Sequence, residues 1–278
     1  MTTVLLILVP LLLLAVVWLW LTAPAHLGKR PLSPCRYYAH RGLHSDRVPE
    51  NSLPAFALAA EAGYGIELDI QRTADGVAVV FHDDTLVRMC GVEGSVRDYT
   101  YEELSAFRLA GREDVGIPTL RQVLETVGGR VPLIVELKAS FDDRLLVADE
   151  ALACLAHYDG YYVIESFHPS VLRHLRRRAP HVVRGQLCAA YGREGKCPRA
   201  MRLAAAFLTN LIARPHFIAY CCKHSDYFFF RLLRTLFPWA LYAAWTVTSA
   251  EEEQAQCGGY DIIIFERYLP DADRRRDG

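Results

Sequence analysis

The sequence predicts an α/β protein, a (β/α)8 TIM barrel preceded by one N-terminal transmembrane helix. Three observations favour this fold. The chain is 278 residues long, short apolar segments without alternation recur along it, and helical patterns separate them. Hydrophobic residues make up 52% of the chain, enough for a large core, and the net charge of −1 excludes a global field that would attract nucleic acid.

The first element is an apolar segment from Val4 to Ala23. A helix of this length spans about 30 Å, the thickness of the hydrocarbon core of a bilayer. No basic residue precedes it, as one would in a signal peptide, although Ala23-Pro24-Ala25 resembles a cleavage site. We therefore predict an uncleaved, single-pass membrane anchor in residues 1–26, with signal cleavage as the alternative.

The residues after the anchor predict its orientation. Lys29, Arg30 and Arg36 follow the span, so the positive-inside rule places the C-terminal domain in the cytoplasm. The eight cysteines contain no CxxC pair, which favours free thiols and a reducing compartment. We interpret residues 27–36 as a linker and residues 37–278 as the barrel domain.

Nine short apolar segments are strand candidates. They are Tyr37–His40, Ile66–Ile70, Val77–His82, Pro132–Leu137, Tyr162–Phe167, Val183–Leu187, Phe217–Cys221, Tyr242–Val247 and Asp261–Phe265. Ile70 and Val77 are too close in sequence for a parallel crossover, and Asp75-Gly76 between them is a hairpin turn signal. Without this hairpin arm, eight strands remain for a parallel barrel. A doubly wound sheet is the alternative, but no glycine-rich phosphate loop follows a strand.

Three helices are predicted from their patterns. Thr119 and Gln122 form a capping box for one helix, and Thr100 caps a short helix within residues 83–118, which we interpret as an insertion. The aromatic segment Ser225–Pro238 forms the third. It is either an outer barrel helix packed between its neighbours or a surface that enters the membrane interface.

Acidic residues cluster on two strands of the predicted barrel. Glu67 and Asp69 are two residues apart on one strand, so both side chains point to the same side, and Glu136 lies near the end of another strand. Three carboxylates in a barrel interior repel one another unless a cation neutralises them. Oxygen ligands favour Mg²⁺ or Ca²⁺. The alternative is that the acids pair with the basic residues Arg41, Lys138 and Arg72.

Two histidines end strands beside this acidic cluster. Imidazole titrates near neutrality, so His40 and His82 are candidates for general acid–base catalysis. Arg41 and Lys138 add fixed positive charge. A metal ion, a guanidinium and an ammonium group together are typical of a site that binds a phosphoryl group.

Several motifs stand in a fixed order along residues 37–270. They are His40-Arg41-Gly42, Pro49-Glu50-Asn51-Ser52, Glu67-Leu68-Asp69, Thr73-Ala74-Asp75-Gly76, His82-Asp83, Ile117-Pro118-Thr119-Leu120, Glu136-Leu137-Lys138, Ser166-Phe167 and Trp245-Thr246-Val247. In this order and spacing they resemble the glycerophosphodiester phosphodiesterase family, with the N-terminal segment typical of a membrane-anchored bacterial member.

The resemblance implies a barrel in which three carboxylates hold a divalent cation and two histidines exchange protons. It assigns the metal to Glu67, Asp69 and Glu136, acid–base catalysis to His40 and His82, phosphate contacts to Arg41 and Lys138, and a supporting or substrate-pocket role to Glu50, Phe167 and Trp245. The implied reaction cleaves a glycerophosphodiester into glycerol 3-phosphate and an alcohol. Water or the hydroxyl group of the substrate itself attacks phosphorus, and both routes stay open.

The end of the last strand departs from the family pattern. Family members usually end it with Thr-Asp-x-Pro, whereas this chain continues from Phe265 to Pro270, and Thr248 stands where Asn is common. The substrate side of the pocket is therefore expected to differ. A membrane lysophospholipid, cleaved in the manner of a lysophospholipase D, is an alternative substrate. A non-catalytic, membrane-anchored binding protein is an alternative function.

Overall fold

A computed structural model describes residues 2–28, 34–139, 144–190 and 206–270. Nine strands form one sheet. They are β1 (Tyr37–His40), β2 (Gly65–Arg72), β3 (Ala78–Val80), β4 (Leu133–Leu137), β5 (Tyr162–Ser166), β6 (Arg184–Cys188), β7 (Phe217–Cys221), β8 (Leu241–Val247) and β9 (Ile262–Phe265). Each predicted strand is present, with ends that differ from the prediction by a few residues at most.

The sheet closes into a barrel of eight parallel strands. Strand β1 pairs in parallel with both β2 and β9, which closes the ring. The ninth strand, β3, is antiparallel to β2 and pairs Val80 with Ile70, so the predicted hairpin is confirmed. The remaining pairings between neighbours are parallel. The carboxyl ends of the eight parallel strands therefore meet at one face, where active sites of such barrels lie.

Ten α-helices connect or precede the strands in the described ranges. They are α1 (Thr2–Thr22), α2 (Leu53–Glu61), α3 (Val87–Cys90), α4 (Tyr101–Leu104), α5 (Leu120–Val127), α6 (Arg144–Leu155), α7 (Pro169–Arg178), α8 (Asn210–Ala213), α9 (Phe228–Leu236) and α10 (Ala250–Gln256). The predicted capping boxes are confirmed: Thr119 accepts a hydrogen bond from the Gln122 amide, and Thr100 accepts one from the Glu103 amide. Residues 83–118 contain short helices and no barrel strand.

Apolar side chains fill the barrel in two layers. Tyr38, Ile134 and Phe217 belong to a cluster inside the barrel, because alternate residues of each strand point inward. The intervening residues pack against the surrounding helices in a larger cluster that includes Leu68. A third cluster lies beneath the insertion, around Phe81. No disulfide joins the seven cysteines in the described ranges.

The aromatic helix α9 is mainly part of the outer layer. Phe230 and Leu233 are fully buried, and the Phe230 ring stacks on Tyr220 with centroids 3.9 Å apart. Phe228, in the first turn, is 66% exposed. The interpretation as an outer barrel helix is therefore correct for the inner side of α9, and Phe228 projects from the opposite side.

Helix α1 packs directly on the outside of the barrel. The Asn210 side-chain amide donates a hydrogen bond to the carbonyl oxygen of Thr22 at 2.8 Å, and the Ala25 amide donates one to the carbonyl oxygen of Pro215 at 2.7 Å. The end of the predicted anchor segment is therefore held against the barrel by hydrogen bonds. Residues 29–33 of the predicted linker lie outside the described residues.

The exposed part of α1 lies before this docked end. The side chains of Leu11, Leu12, Leu13 and Leu14 are each more than half exposed. Among the described residues, no helix has both the length and the apolar character needed to cross a membrane. This finding does not support the predicted single-pass anchor.

Candidate active site

The predicted site residues meet at the carboxyl ends of the barrel strands. A cavity of about 150 Å³ opens there. Eight of the ten predicted residues line it: His40, Arg41, Glu67, His82, Glu136, Lys138, Phe167 and Trp245. The two others lie beside it, since Asp69 belongs to the same acidic group as Glu67 and Glu50 contacts Arg41. Strands β1, β2, β4 and β8 and the loops after β1, β3, β4 and β5 supply these side chains.

Three buried carboxylates lie together at the cavity, and two of them, Glu67 and Glu136, line it. Glu67, Asp69 and Glu136 each offer an oxygen atom within 4.8 Å of the others. Register explains the convergence, because Asp69 pairs with Glu136 across β2 and β4 and Glu67 lies two residues earlier on β2. No carboxylate of this group is more than 7% exposed. Three hard oxygen donors at this spacing fit a divalent cation such as Mg²⁺ or Ca²⁺.

Two basic side chains lie against these acids. Lys138 Nζ is 3.2 Å from Asp69 Oδ1 and 3.1 Å from Glu136 Oε1. Arg41 Nε is 3.5 Å from Asp69 Oδ2, and Arg41 Nη1 donates a hydrogen bond to Glu50 Oε1 at 2.6 Å. The alternative of acids paired with basic residues is thus partly correct, but the pairing leaves the carboxylates crowded.

The crowding appears in the pKa values of the three acids. Burial, followed by the charges of Asp69 and Glu136, raises the pKa of Glu67 well above its ordinary value. Burial also raises the pKa of Glu136, to about 7, against the opposing effect of Lys138. Burial acts in the same direction on Asp69, but the positive charges of Lys138, His82 and Arg41 outweigh it and lower the pKa. A cation among these oxygens would stabilise the ionised form of all three.

His40 is held by an acid from the last strand. Its Nδ1 lies 2.7 Å from Glu266 Oε2, and the hydrogen bond from His40 lowers the pKa of Glu266 to about 2. Glu266 is therefore ionised, so His40 Nδ1 carries the hydrogen and donates it. Nε2 then faces the cavity, 3.9 Å from Glu67 Oε2. Burial lowers the pKa of His40, although Glu266 acts in the opposite direction.

His82 has the same arrangement with a different acid. Its Nδ1 lies 2.8 Å from Asp83 Oδ1, and Arg88 Nη2 donates a hydrogen bond to the same oxygen at 2.9 Å. Arg88 also donates to both carboxylate oxygens of Glu50. Burial lowers the pKa of His82 as well. Both imidazoles thus present Nε2 as the atom available for proton exchange.

Two further acids belong to the site and were missed by the sequence analysis. Glu266 follows the last strand, where the departure from the family pattern hid its role. Glu165 lies in the same register as Glu136, lines the cavity and is 1% exposed. Burial, with the charges of Glu136 and Asp69, raises the pKa of Glu165 well above its ordinary value. Its position two residues before Phe167, in an apolar strand, was the available signal.

Aromatic side chains form another part of the cavity wall. The rings of Phe167 and Trp245 meet edge to face with centroids 5.6 Å apart, and both line the cavity with Ile264. Trp245 Nε1 has no hydrogen-bond partner among the described residues. This wall can pack against the carbon skeleton of a small ligand, while the indole offers it a donor.

The sequence from His40 to residue 209 matches the Glycerophosphoryl diester phosphodiesterase family. The chain belongs to this family. The match includes the three acids and both histidines and ends before Trp245 and Glu266. A protein named glycerophosphodiester phosphodiesterase from Caldanaerobacter subterraneus is 34% identical over 216 residues, which are 73% of this chain and 84% of that protein. Human glycerophosphodiester phosphodiesterase 1 is 33% identical over 52% of this chain and 46% of its own length.

Solved structures share the fold. A glycerophosphodiester phosphodiesterase from Thermotoga maritima has a TM-score of 0.63 at 25% identity, over 82% of this chain and 93% of that one. An Oleispira antarctica phosphodiesterase, solved with the product sn-glycerol-3-phosphate, has a TM-score of 0.68 at 21% identity, over 83% of this chain and 92% of that one. The chain is thus a phosphodiesterase with the (β/α)8 barrel of its family.

Proposed function

We propose that this enzyme hydrolyses glycerophosphodiesters to sn-glycerol 3-phosphate and an alcohol, with a divalent cation as cofactor. The observation that carries the proposal is the convergence of three carboxylates, two fixed cations and two oriented histidines in one cavity. The Oleispira antarctica neighbour is described with sn-glycerol-3-phosphate, and a cavity of about 150 Å³ suits a ligand of this size. The aromatic wall would pack against the glycerol carbons.

The proposed cofactor is Mg²⁺ or Ca²⁺, held by Glu67, Asp69 and Glu136. When bound, the ion would supply positive charge that stabilises the phosphorane-like transition state. Arg41 and Lys138 would bind the non-bridging phosphate oxygens and orient the phosphorus atom. Their positive charges persist over the working range of pH, since Asp69 and its neighbours raise the pKa of both groups despite burial.

The proposed catalytic pair is His40 and His82. One of the two histidines is neutral, and its Nε2 accepts a proton from the attacking hydroxyl group. The other histidine is protonated, and it donates a proton to the departing alcohol oxygen. Glu266 and Asp83 fix the ring tautomers and stabilise the imidazolium forms. This chemistry needs neither a covalent nucleophile nor a redox group. The attacking hydroxyl belongs either to water or to the glycerol moiety of the substrate. In the second route the first product is a cyclic phosphate, which water opens to glycerol 3-phosphate in a second step.

The decisive experiment is detection of glycerol 3-phosphate released from glycerophosphocholine by the purified protein. We expect release with Mg²⁺ or Ca²⁺, loss of release in excess chelator, and recovery when the ion is restored. The His40→Ala variant controls for contaminating hydrolases. Full activity in excess chelator would exclude the metal, and the absence of glycerol 3-phosphate from any diester tested would exclude the reaction.

A second candidate is the lysophospholipase D reaction on a membrane lysophospholipid. It is favoured by an open groove of about 670 Å³ beside the mouth of the barrel, lined partly by Leu43, Leu58 and Leu269. Such a groove offers room and apolar surface for an acyl chain. Comparison of glycerophosphocholine with lysophosphatidylcholine decides between the two. A rate at least tenfold higher on the soluble diester would leave the first proposal standing.

We also propose that α1 enters a lipid bilayer and that the barrel lies in the cytoplasm. Successive exposed residues of a helix are about 100° apart, so Leu11 to Leu14 cover every side of α1, whereas a protein partner would cover one. The helix carries no charged side chain. Because Trp18, Trp20 and Thr22 all contact the barrel, deletion of residues 1–17 tests the proposal while it leaves these contacts in place.

The expected result is membrane association of the complete chain and loss of it in the deletion variant. Protease added outside intact cells should leave the barrel uncut. Recovery of the complete chain in the soluble fraction would contradict the anchor, and a mature protein that begins near Ala25 would indicate signal cleavage instead.

A further inference from the structure

Glu165 is a buried acid that the proposed reaction leaves unused. It lies inside the barrel at the end of β5 and lines the active-site cavity. Its side chain is almost inaccessible to solvent, and Oε2 has no hydrogen-bond partner among the residues that the structure describes. A buried carboxylate oxygen without a partner is costly, so its position in the active-site cavity points to a nearby positive charge that would stabilise it.

Glu165 continues the row of acids at the cavity. Asp69, Glu136 and Glu165 occupy the same register position on β2, β4 and β5. Neighbouring strands are about 4.8 Å apart, so Glu165 lies one strand beyond Glu136 and points to the same interior. The next residue in register is Gly185 on β6, which offers no polar side chain. The row of acids therefore ends at Glu165.

The charges around this row are unbalanced. Four carboxylates, those of Glu67, Asp69, Glu136 and Glu165, face two fixed cations, Arg41 and Lys138. At least two negative charges remain uncompensated when all four acids are ionised, because Arg41 also pairs with Glu50. A divalent cation supplies two positive charges, and the surrounding wall of Phe167, Trp245 and Ile264 supplies none.

We propose that Glu165 is a fourth acidic member of the divalent-cation site and raises the affinity of the site for its ion. The inference rests on the proposed binding of a cation by the other three acids. Glu165 lies beyond the group whose oxygen atoms are within 4.8 Å of one another, so it acts on the ion from an outer position. Groups in such positions commonly change metal affinity by 10- to 100-fold.

The test is a calorimetric titration of the metal-free protein with Ca²⁺ and with Mg²⁺, without substrate. Glu165→Gln keeps the shape of the side chain and removes its charge, and we expect about tenfold weaker binding. Glu165→Asp keeps the charge and should bind more tightly than Glu165→Gln. Glu253→Gln is the matched control, because Glu253 lies outside the cavity and accepts hydrogen bonds from the hydroxyl groups of Tyr37 and Tyr268. The metal affinity of this variant should equal that of the wild type.

The outcomes separate this inference from the proposed function. A loss of affinity of less than threefold in Glu165→Gln overturns the assignment of Glu165, whatever the activity of the variant. If Glu165→Gln fails to fold, Glu165→Ala takes its place in the titration. A metal affinity of Glu165→Ala within threefold of the wild type would also overturn the assignment of Glu165. Absence of binding by the wild-type protein overturns the three-acid site itself, and the inference with it.

Discussion

The hydrogen bond between His40 and Glu266 provides a sensitive test of the proposed mechanism. Glu266→Gln replaces the carboxylate by an amide that accepts a weaker hydrogen bond from Nδ1. The bond is short, 2.7 Å, and both partners are largely shielded from solvent. Hydrogen bonds to charged groups contribute about 1.5–3 kcal/mol. If this energy is lost in the transition state, kcat/KM should fall roughly 10- to 100-fold.

The assay is the pH dependence of glycerol 3-phosphate release at saturating metal. Glu266 raises the pKa of His40, partly offsetting the effect of burial, so its neutralisation should lower that pKa further. A base of lower pKa stays neutral to lower pH. If His40 is the base, the acidic limb of the kcat/KM profile should therefore move to lower pH in Glu266→Gln.

Two further variants control for other effects of this change. Glu266→Asp keeps the carboxylate and should recover part of the lost rate. Arg267→Ala removes the exposed pair with Glu266, 2.9 Å long, and should stay within about twofold of the wild type, because exposed pairs contribute little. A loss below threefold in Glu266→Gln, with an unchanged pH profile, would refute the proposed orientation of His40.

Other predictions address the metal, the histidines, the phosphate contact and the core. Glu136→Gln should weaken cation binding severely in calorimetry; equal binding would remove Glu136 from the site. His40→Ala and His82→Ala should each lower kcat by about 10²–10⁴-fold with unchanged circular dichroism, and a loss below tenfold would make that histidine structural. Lys138→Met should raise KM or lower kcat/KM at least tenfold, and a smaller effect would exclude the phosphate contact. Phe230→Ala should cost about 3–5 kcal/mol of unfolding free energy in denaturant titrations; a loss under 1 kcal/mol would contradict its packing role.

The parts of the fold that depend on local patterns were predictable from the sequence. Strands buried on both faces lack alternation, and this property identified β1 and β7 with correct ends. The turn at Asp75-Gly76 identified the hairpin because a parallel crossover cannot be so short. The acids of the site were predictable for a related reason, since the i, i+2 spacing of Glu67 and Asp69 determines that both point inward.

Features that depend on distant contacts were not predictable in this way. Glu266 is 226 residues from His40 in the chain, and nothing local to either residue indicates the pairing. Glu165 becomes conspicuous once the register of β4 and β5 places it beside Glu136. The docking of α1 depends on Asn210 and Pro215, whose partners lie almost 190 residues earlier. Sequence periodicity contains no information about such contacts.

The closure of the barrel by β9 also determines when, during synthesis, the candidate site can be complete. Strand β9 pairs with β1 and brings Glu266 to His40, so the last strand to be synthesised completes a site whose other members are made much earlier. A nascent chain that ends at β8 already contains Glu67, Asp69 and Glu136, but its His40 ring has no carboxylate at Nδ1. Under the proposed mechanism, full activity requires synthesis of the whole barrel, and a ribosome-bound or prematurely terminated chain would hold the acids without the carboxylate that orients His40.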